Sequence, residues 1–586
     1  MANSATPAKE TDPNVAGDTR FFGHPLGLST LFFSEMWERF SFYGMRAILF
    51  LFMTAAIAKG GLGLKPDEAG PIYAMYTSLV YLVAVPGGWL ADNFLGQRKA
   101  VLYGGIVIMC GHICLAFHGL TFFYAGLGLI IIGTGLLKPN ISTIVGQLYS
   151  PQDQRRDSGF SIFYMGINMG AFLAPLICSW LAESDMFRDT LVGWGYDPAN
   201  SWHWGFGAAA VGMFFGLVQY VAMGKHLGDA GMLPAAAKSP EATASLKKTL
   251  YLGLAIVAGL VLLVVGLGLT RPDLLTKGNI KGAYTVILFA VVFGFFYRLF
   301  TANQWTPGER ARLTVVVVLF SGAAIFWGVF DQAGSTLTLF AEGSTDNQVF
   351  GSSFPAGWWN SVNALLIVLL APLFSILWLR LGNKNPSYPA KFSIGLVFAA
   401  LGFLWLIFGA MDFTSNWKGY VSTNKGEIVA QAKQFEVKIN PDKIEVSTVN
   451  EIVAAQEKAV TEGKAEDSKP LPPWYRVGIY WLLIVYLLHT IGELCLSPVG
   501  LSSMTKLAPV QVQGMMMGVW FLASSVGQFL GGTTAGFYES FELPTLFAFV
   551  GISALVMAAI MFAIVKPVKR MLALAEAETK AATPAE

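Results

Sequence analysis

The chain has 586 residues, of which 54% are hydrophobic and only 13% charged, with a formal net charge of +2 and a mean hydropathy of +0.54. Soluble domains carry about 25% charged residues, so a soluble globular protein is excluded. No basic patch of the kind that binds nucleic acid is present. The four cysteines, Cys110, Cys114, Cys178 and Cys495, all fall in apolar stretches and read as packing residues rather than as a disulfide or metal set; no cofactor is expected.

In chain order, Met1 to Arg20 is polar and lacks the apolar centre of a cleavable signal. Apolar stretches long enough to cross a bilayer then recur to the end of the chain, and in lipid such stretches are helices because their backbone groups must be satisfied internally. The expected architecture is all-α and integral to the membrane, with fourteen spans near 27–58, 68–93, 99–118, 121–149, 157–184, 203–224, 249–270, 280–300, 312–340, 357–382, 389–412, 475–501, 513–535 and 544–566. The short alternating strands of a β-barrel are missing from the pattern. One set of loops carries Arg98 and Lys99, Arg155 and Arg156, Lys225, Lys247 and Lys248, Arg310 and Arg312, Lys384, Lys506, Lys569 and Arg570, and the alternate set is poorer in basic residues. Positive loops stay inside, so both termini are expected in the cytoplasm. The pair 249–270 and 280–300 has no deep ionisable residue and reads as a scaffold hairpin inserted into a twelve-helix core. A polar insert over 413–474 falls on the outer side, and the tail after Leu574 has a disordered composition.

Charges inside the spans are the main signal. Each costs roughly 2.5–3.5 kcal/mol at the centre of a spanning helix on insertion scales and is a functional candidate by default. Glu35, Glu38, Arg39 and Arg46 lie in the first span at offsets that place them within about 100° of arc, one polar stripe with Tyr43 at its margin. Lys138, Asp331 and Glu493 lie in three further spans. The four acids and three bases can pair, which lowers the cost of burial, and a purely structural reading as ion pairs fixing helix registry stays open for Glu35, Glu38 and Arg39. If the charges converge near the bilayer midplane, as transporter sites do, cations on the N-terminal side face the Glu493 carboxylate. A zwitterion fits that dipole, with amides at Asn168 and Asn363 and hydroxyls at Tyr43 and Tyr81 for a peptide backbone, and Trp327, Trp359 and Trp520 as walls. Protonating Glu35 or Glu38 would free Arg39 for substrate.

The segment Glu35-Met36-Trp37-Glu38-Arg39-Phe40-Ser41-Phe42-Tyr43 resembles the ExxERFxYY motif of the proton-dependent oligopeptide transporter family, within the major facilitator superfamily. Gly87 to Gly96 resembles the family's first signature, Phe160 to Phe172 its second, and Lys138-Pro139-Asn140 and the stretch around Asn363 and Pro372 also fit. The resemblance spans most of the chain but not 413–474. It implies a bacterial inner-membrane member with two six-helix bundles, 27–224 and 312–566, joined by a linker 225–311 that holds the hairpin and flanked by cytoplasmic segments 1–26 and 567–586.

For function, the resemblance implies a symporter for di- and tripeptides and protons, not an enzyme, with lipid as its only other partner; the oligomeric state stays open, a monomer sufficing by analogy. Proton coupling is implied for Glu35, Glu38, Arg39 and Asp331. Peptide contacts are implied for Arg39, Arg46, Tyr43, Tyr81, Lys138, Asn168, Asn363, Glu493, Trp520 and Ser524. Gate pairs are implied for Arg46 with Asp331 and for Lys138 with Glu493, with Asp92 in the gating loop. Phe42 departs from the motif's first Tyr, and Asp331 stands where many members have Glu, so its gate pair must reach further by a methylene. The main alternative is a relative that moves another anion such as nitrate, for which Glu493 would have little use. A membrane enzyme lacks its motifs here: there is no HExxH, no GxSxG with triad partners and no nucleotide-binding loop.

Overall fold

A computed structural model of the chain describes residues 17–150, 153–232, 240–302, 305–461, 473–509, 512 and 515–571. The expectations for the first sixteen residues and for the tail beyond 571 lie outside the described residues. The helices are α1 (Leu26–Thr54), α2 (Pro66–Leu82), α3 (Ala84–Leu90), α4 (Gln97–Leu115), α5 (Leu120–Gln147), α6 (Arg156–Glu183), α7 (Asp185–Gly193), α8 (Ser201–Met223), α9 (Pro240–Thr270), α10 (Lys277–Thr301), α11 (Pro307–Phe330), α12 (Thr336–Ser344), α13 (Trp359–Leu381), α14 (Tyr388–Gln434), α15 (Val446–Thr461), α16 (Tyr480–Leu507), α17 (Met516–Ala535) and α18 (Leu543–Ala563). A two-residue antiparallel pair, Gln348–Val349 with Ser352–Ser353, is the only sheet among the described residues.

Among the described residues, twelve helices are long and apolar enough to cross a membrane. Two long helices, α1 and α17, fall outside that group. α1 carries Glu35, Glu38, Arg39 and Arg46, and α17 is rich in Gly, Ser and Thr. The expected count of fourteen therefore depends on the two helices whose polarity suits an interior position rather than a lipid-facing one.

Local sequence sets several boundaries. A capping box closes the start of α11, where the Thr306 hydroxyl accepts from Glu309 N and the Glu309 carboxylate accepts from Thr306 N, with Pro307 at the first helical position. Asp18 accepts from Leu26 N at 2.9 Å and so satisfies a free donor at the start of α1. Between α3 and α4 the backbone widens into one π-type turn, Ala91–Leu95, and ends at Gly96 with φ +75°.

Packing divides the helices into two groups. α1 packs on α6 and α8, and α4 on α5 and α8; in the second group α14 packs on α16 and α18, and α11 on α17. The groups meet where α2 runs along α17 and α6 along α13. The α2–α17 seam is tight because glycine removes side chains from it: a Cβ on Gly532 would sit 2.5 Å from Ala74 Cα, and one on Gly70 would sit 2.7 Å from Gly536 Cα. Across α6 and α13, Ser361 Oγ donates to Phe172 O (2.7 Å) and Trp358 Nε1 to Leu176 O (3.0 Å). All these contacts lie toward one end of the bundle, the end that carries Thr54, Pro66 and Ala535.

The sequence ends a span near 412, but α14 runs on unbroken to Gln434. Its 47 residues extend about 70 Å at 1.5 Å per residue, more than twice the hydrocarbon thickness. Phe413, Trp417, Tyr420 and Tyr475 pack their rings together at its emergence, with Tyr420 and Tyr475 4.7 Å apart. Above them Ile428, Ala432, Ile444, Val449 and Ile452 form a small buried core between α14 and α15. α15 also rests against the turn Ile57–Lys59 that follows α1.

Candidate transport site

On α1 the polar stripe is real and buried. Arg39 Nε stands 3.1 Å from Glu35 Oε1, and Arg39 Nη2 donates to Glu38 Oε1 at 2.7 Å while Nε closes on the other Glu38 oxygen. One guanidinium is thus bracketed by two carboxylates from its own helix: the i, i+4 offset brings Glu35 to it, and its long arm turns back to the adjacent Glu38. The Arg39 guanidinium also lies 5.2 Å from the Phe42 ring and 6.0 Å from the Tyr43 ring. Phe42, which replaces the motif's first Tyr, is buried under this cation as a packing face and offers no hydroxyl to a ligand.

Lys138, on α5, has its ammonium 3.6 Å above the Tyr81 ring and 5.9 Å from the ring of Phe521 on α17. Among the described residues no ion pair of Lys138 is formed, so its ammonium rests on these ring faces. With Arg46 matched by Asp331, Glu35 and Glu38 balance Arg39 and Lys138, so a proton added to either acid leaves one excess positive charge.

Arg46 pairs with Asp331 across the two helix groups, both groups buried. Arg46 Nη2 also reaches Asp331 O at 3.3 Å, and Nε donates to Tyr73 OH at 3.0 Å. The shorter acid reaches because Asp331 sits where α11 ends and tightens into a 3₁₀ turn, Asp331–Gly334. Tyr73 was not legible as a site residue: a tyrosine in an apolar span carries no charge to mark it.

The second group supplies Glu493 on α16. Asn363 Nδ2 donates to Glu493 Oε2 at 3.1 Å and to Thr490 Oγ1 at 3.0 Å. Among the described residues no cation pairs with Glu493. The expected Lys138–Glu493 ion pair is therefore not formed in this structure: Lys138 is taken up by the Tyr81 face and Glu493 by a neutral amide. Tyr43 lies beside Arg39, its ring 5.3 Å from that of Phe42.

The remaining expected residues divide. Trp520 stands against Trp327, with ring centroids 6.4 Å apart. Asn168 Nδ2 donates to Tyr164 O (2.9 Å) and Ser524 Oγ to Trp520 O (3.1 Å), so both bond to their own helices and are held in place by them. Trp359 does not wall this space: it is buried, donates to Asn347 Oδ1 at 2.9 Å and stacks on Tyr486. Asp92 accepts from Gln97 Nε2 at 2.8 Å inside its own turn. The neighbouring Arg98 Nε donates to Ala230 O at 2.7 Å, tying that turn to the segment after α8.

A sequence model described as the POT family matches residues 98–439 and 444–561, well over half of the chain. The chain belongs to the POT family. It is 37% identical over 577 residues to the peptide transporter YePEPT of Yersinia enterocolitica, covering 96% of this chain and 98% of that one. It is 33% identical over 563 residues to a di-/tripeptide transporter of Lactococcus lactis subsp. cremoris, covering 94% and 97%. Among solved structures, the peptide transporter POT in complex with sulfate superposes with a TM-score of 0.74 at 36% identity, covering 94% of this chain and 96% of that one. A POT family transporter in complex with 5-aminolevulinic acid gives 0.75 at 31% identity, covering 95% and 99%. This POT family member is therefore a multi-pass membrane transporter with the major facilitator type of helical fold, as its motifs imply.

Proposed function

We propose that this chain is a proton-coupled symporter that imports di- and tripeptides by alternating access. One observation carries the reading: Arg39 is neutralised by two carboxylates of its own helix while Glu493, on the opposite group, has only neutral partners. A zwitterionic peptide completes this arrangement. Its carboxylate goes to Arg39 and Lys138, with Arg46, Tyr43 and Tyr81 beside them; its ammonium goes to Glu493, with Asn363, Asn168, Trp520 and Ser524 around it. Protonation of Glu35 or Glu38 releases Arg39 to the peptide, and loss of that proton on the other side returns Arg39 to its acid and expels the peptide. That sequence couples the two movements without a further cofactor. The peptide names of its relatives support the substrate class, and the 5-aminolevulinic acid complex of a relative fits an amine and a carboxylate at opposite ends.

In this reading residues 27–224 and 312–566 are the two bundles that rock within a bacterial inner membrane, 225–311 links them, and both bundles' flanking segments face the cytoplasm. We read the end bearing Thr54, Pro66 and Ala535 as the outer one, with Arg46–Asp331 and the α2–α17 seam as its gate. Lys138 and Glu493 approach each other only in another state of the cycle, and Asp92 acts in the turn at the inner end.

The test is dialanine uptake into proteoliposomes with and without an imposed inward proton gradient. Uptake above equilibrium is expected only with the gradient. Glu38→Gln is expected to abolish that accumulation while leaving peptide exchange at equal pH; accumulation that survives in Glu38→Gln removes Glu38 from the coupling.

A further inference from the structure

The inserted hairpin reads from sequence as scaffold, but its second helix sits on the seam that the transport cycle must open. Lys277, Lys281, Tyr284 and Leu288 follow one another at offsets of four, seven and eleven residues, which puts them on one face of α10. That face grips both sides of the seam. Lys277 Nζ meets Glu68 Oε1 of α2 at 2.6 Å, and Lys281 lies 5.8 Å from the ring of Phe537, just beyond α17. The Tyr284 ring packs on Phe529 of α17 with centroids 5.2 Å apart.

At the centre, three hydroxyls from three helices form one chain. Tyr284 OH donates to Ser78 Oγ at 2.7 Å, Ser78 Oγ and Ser525 Oγ are 2.8 Å apart, and Ser525 Oγ donates to Ser78 O at 2.9 Å. With Ser78 donating to Ser525, each hydroxyl gives one hydrogen bond and none is wasted. Ser78 and Ser525 are wholly buried and Tyr284 nearly so. Parting α2 from α17 breaks both bonds between Ser525 and Ser78 and exchanges them for bonds to the water that enters, a modest net cost that weights the closed state. The surface ion pair at Glu68 adds little, since exposed pairs are worth near nothing.

We propose that α10 is a clasp on the outer gate, and that Tyr284, Ser78 and Ser525 are positioning residues that favour the outside-closed state and set how readily it opens. The inference rests on the reading of this end as the one that opens to the outside. Tyr284→Phe removes the hydroxyl and keeps the ring. Ser525→Ala removes the cross-seam link and keeps the small side chain that close helix approach needs.

The test uses the full chain with its four cysteines replaced and spin labels at Ile57→Cys and Phe541→Cys, both exposed and on opposite sides of the seam. Electron–electron distance distributions then read the open and closed populations without any transport. Tyr284→Phe and Ser525→Ala are each expected to raise the open-to-closed ratio by roughly threefold to tenfold, the size of one net hydrogen bond. The double variant is expected to do little more than either single one, because they belong to one chain. Leu299→Ala, a packing loss at the far end of the same helix, is expected to lower thermal stability and leave the ratio alone. Unchanged distributions in Tyr284→Phe and Ser525→Ala, or a shift in Leu299→Ala as large as theirs, overturn the clasp. The two readings fail separately: a parent protein that takes up no peptide but whose distances shift as expected defeats the transport reading alone, and normal uptake with unmoved distances defeats the clasp alone.

Discussion

Asp331 and Glu493 are both buried carboxylates, yet the structure gives them different duties. Asp331 is matched by a full guanidinium that also holds Tyr73, so removing its charge leaves Arg46 uncompensated in a dry place. Asp331→Asn is expected to cost about 3–5 kcal/mol, the usual penalty for breaking a buried pair from one side, and to appear as a clear fall in the unfolding temperature in detergent. Arg46→Lys is no remedy, because an ammonium cannot reproduce the fork that spans Asp331 and the tyrosine. Glu493 is held by an amide that serves a neutral acceptor equally well. Glu493→Gln is expected to change the unfolding temperature little (about 1 kcal/mol or less, since the amide keeps an acceptor and no buried cation is left unpaired) and to abolish measurable dialanine binding in calorimetry.

Charge is also what made these residues legible. An acid or a base in an apolar run stands out in any sequence, and Glu35, Glu38, Arg39, Arg46, Lys138, Asp331 and Glu493 were all found that way. Tyr73, Thr490, Ser78, Tyr284 and Ser525 were not, since a neutral hydroxyl in a spanning helix is ordinary and only its partner reveals its purpose. The partners themselves were half legible. Arg39 with Glu35 follows from helical spacing, Arg39 with its neighbour Glu38 does not, and Arg46 with Asp331 is implied by the family resemblance. Lys138 with Tyr81 follows from neither, because a stacking contact between α5 and α2 depends on how the helices cross.

Among the elements, α1 is the one whose position matters most, and its start is pinned by a residue outside it. Asp18 takes hydrogen bonds from Arg20 and from Leu26 N, and the Arg20 guanidinium holds the Asp18 carboxyl below the usual carboxylate range. A depressed value in the folded state means that this stabilisation is present at neutral pH. It persists down to the unfolded value of about 4 and is lost as the pH falls from there toward the folded value. The unfolding temperature of the parent protein is therefore expected to drop on acidification below about pH 4, and Asp18→Asn is expected to flatten that drop, as thermal scans across the range would record. α14 shows the limit of reading elements from hydropathy. Its start is marked by Ser387 and Pro389, but its end in lipid is not its end as a helix: the polar residues after Asp412 stop the apolar signal and continue the hydrogen-bond ladder.

At the scale of the whole molecule, the two helix groups close on one another where side chains are smallest. Gly532 leaves no room for even a methyl group against Ala74. Gly532→Val forces that seam apart, at an overpacking cost of about 1–3 kcal/mol against closure. The expected result is a protein that folds, shows longer separations between labels at positions 57 and 541, and loses peptide uptake; short separations with normal uptake would show that the seam need not close in transport. The division into two groups was readable from the motifs, whereas the bridging of both by α10 was not, because nothing in an apolar hairpin says which faces it will lie between.

The long reach of α14 turns the second bundle into an instrument with a pointer. About 40 Å of rigid rod projects beyond the bilayer if roughly 30 Å of its length is spent in lipid. A rocking of about ten degrees, modest for a domain rotation, sweeps its tip through some 7 Å, a displacement larger than that of any group at the midplane. A fluorophore near Gln434 would therefore report each turn of the transporter by magnifying a motion too small to follow at its source.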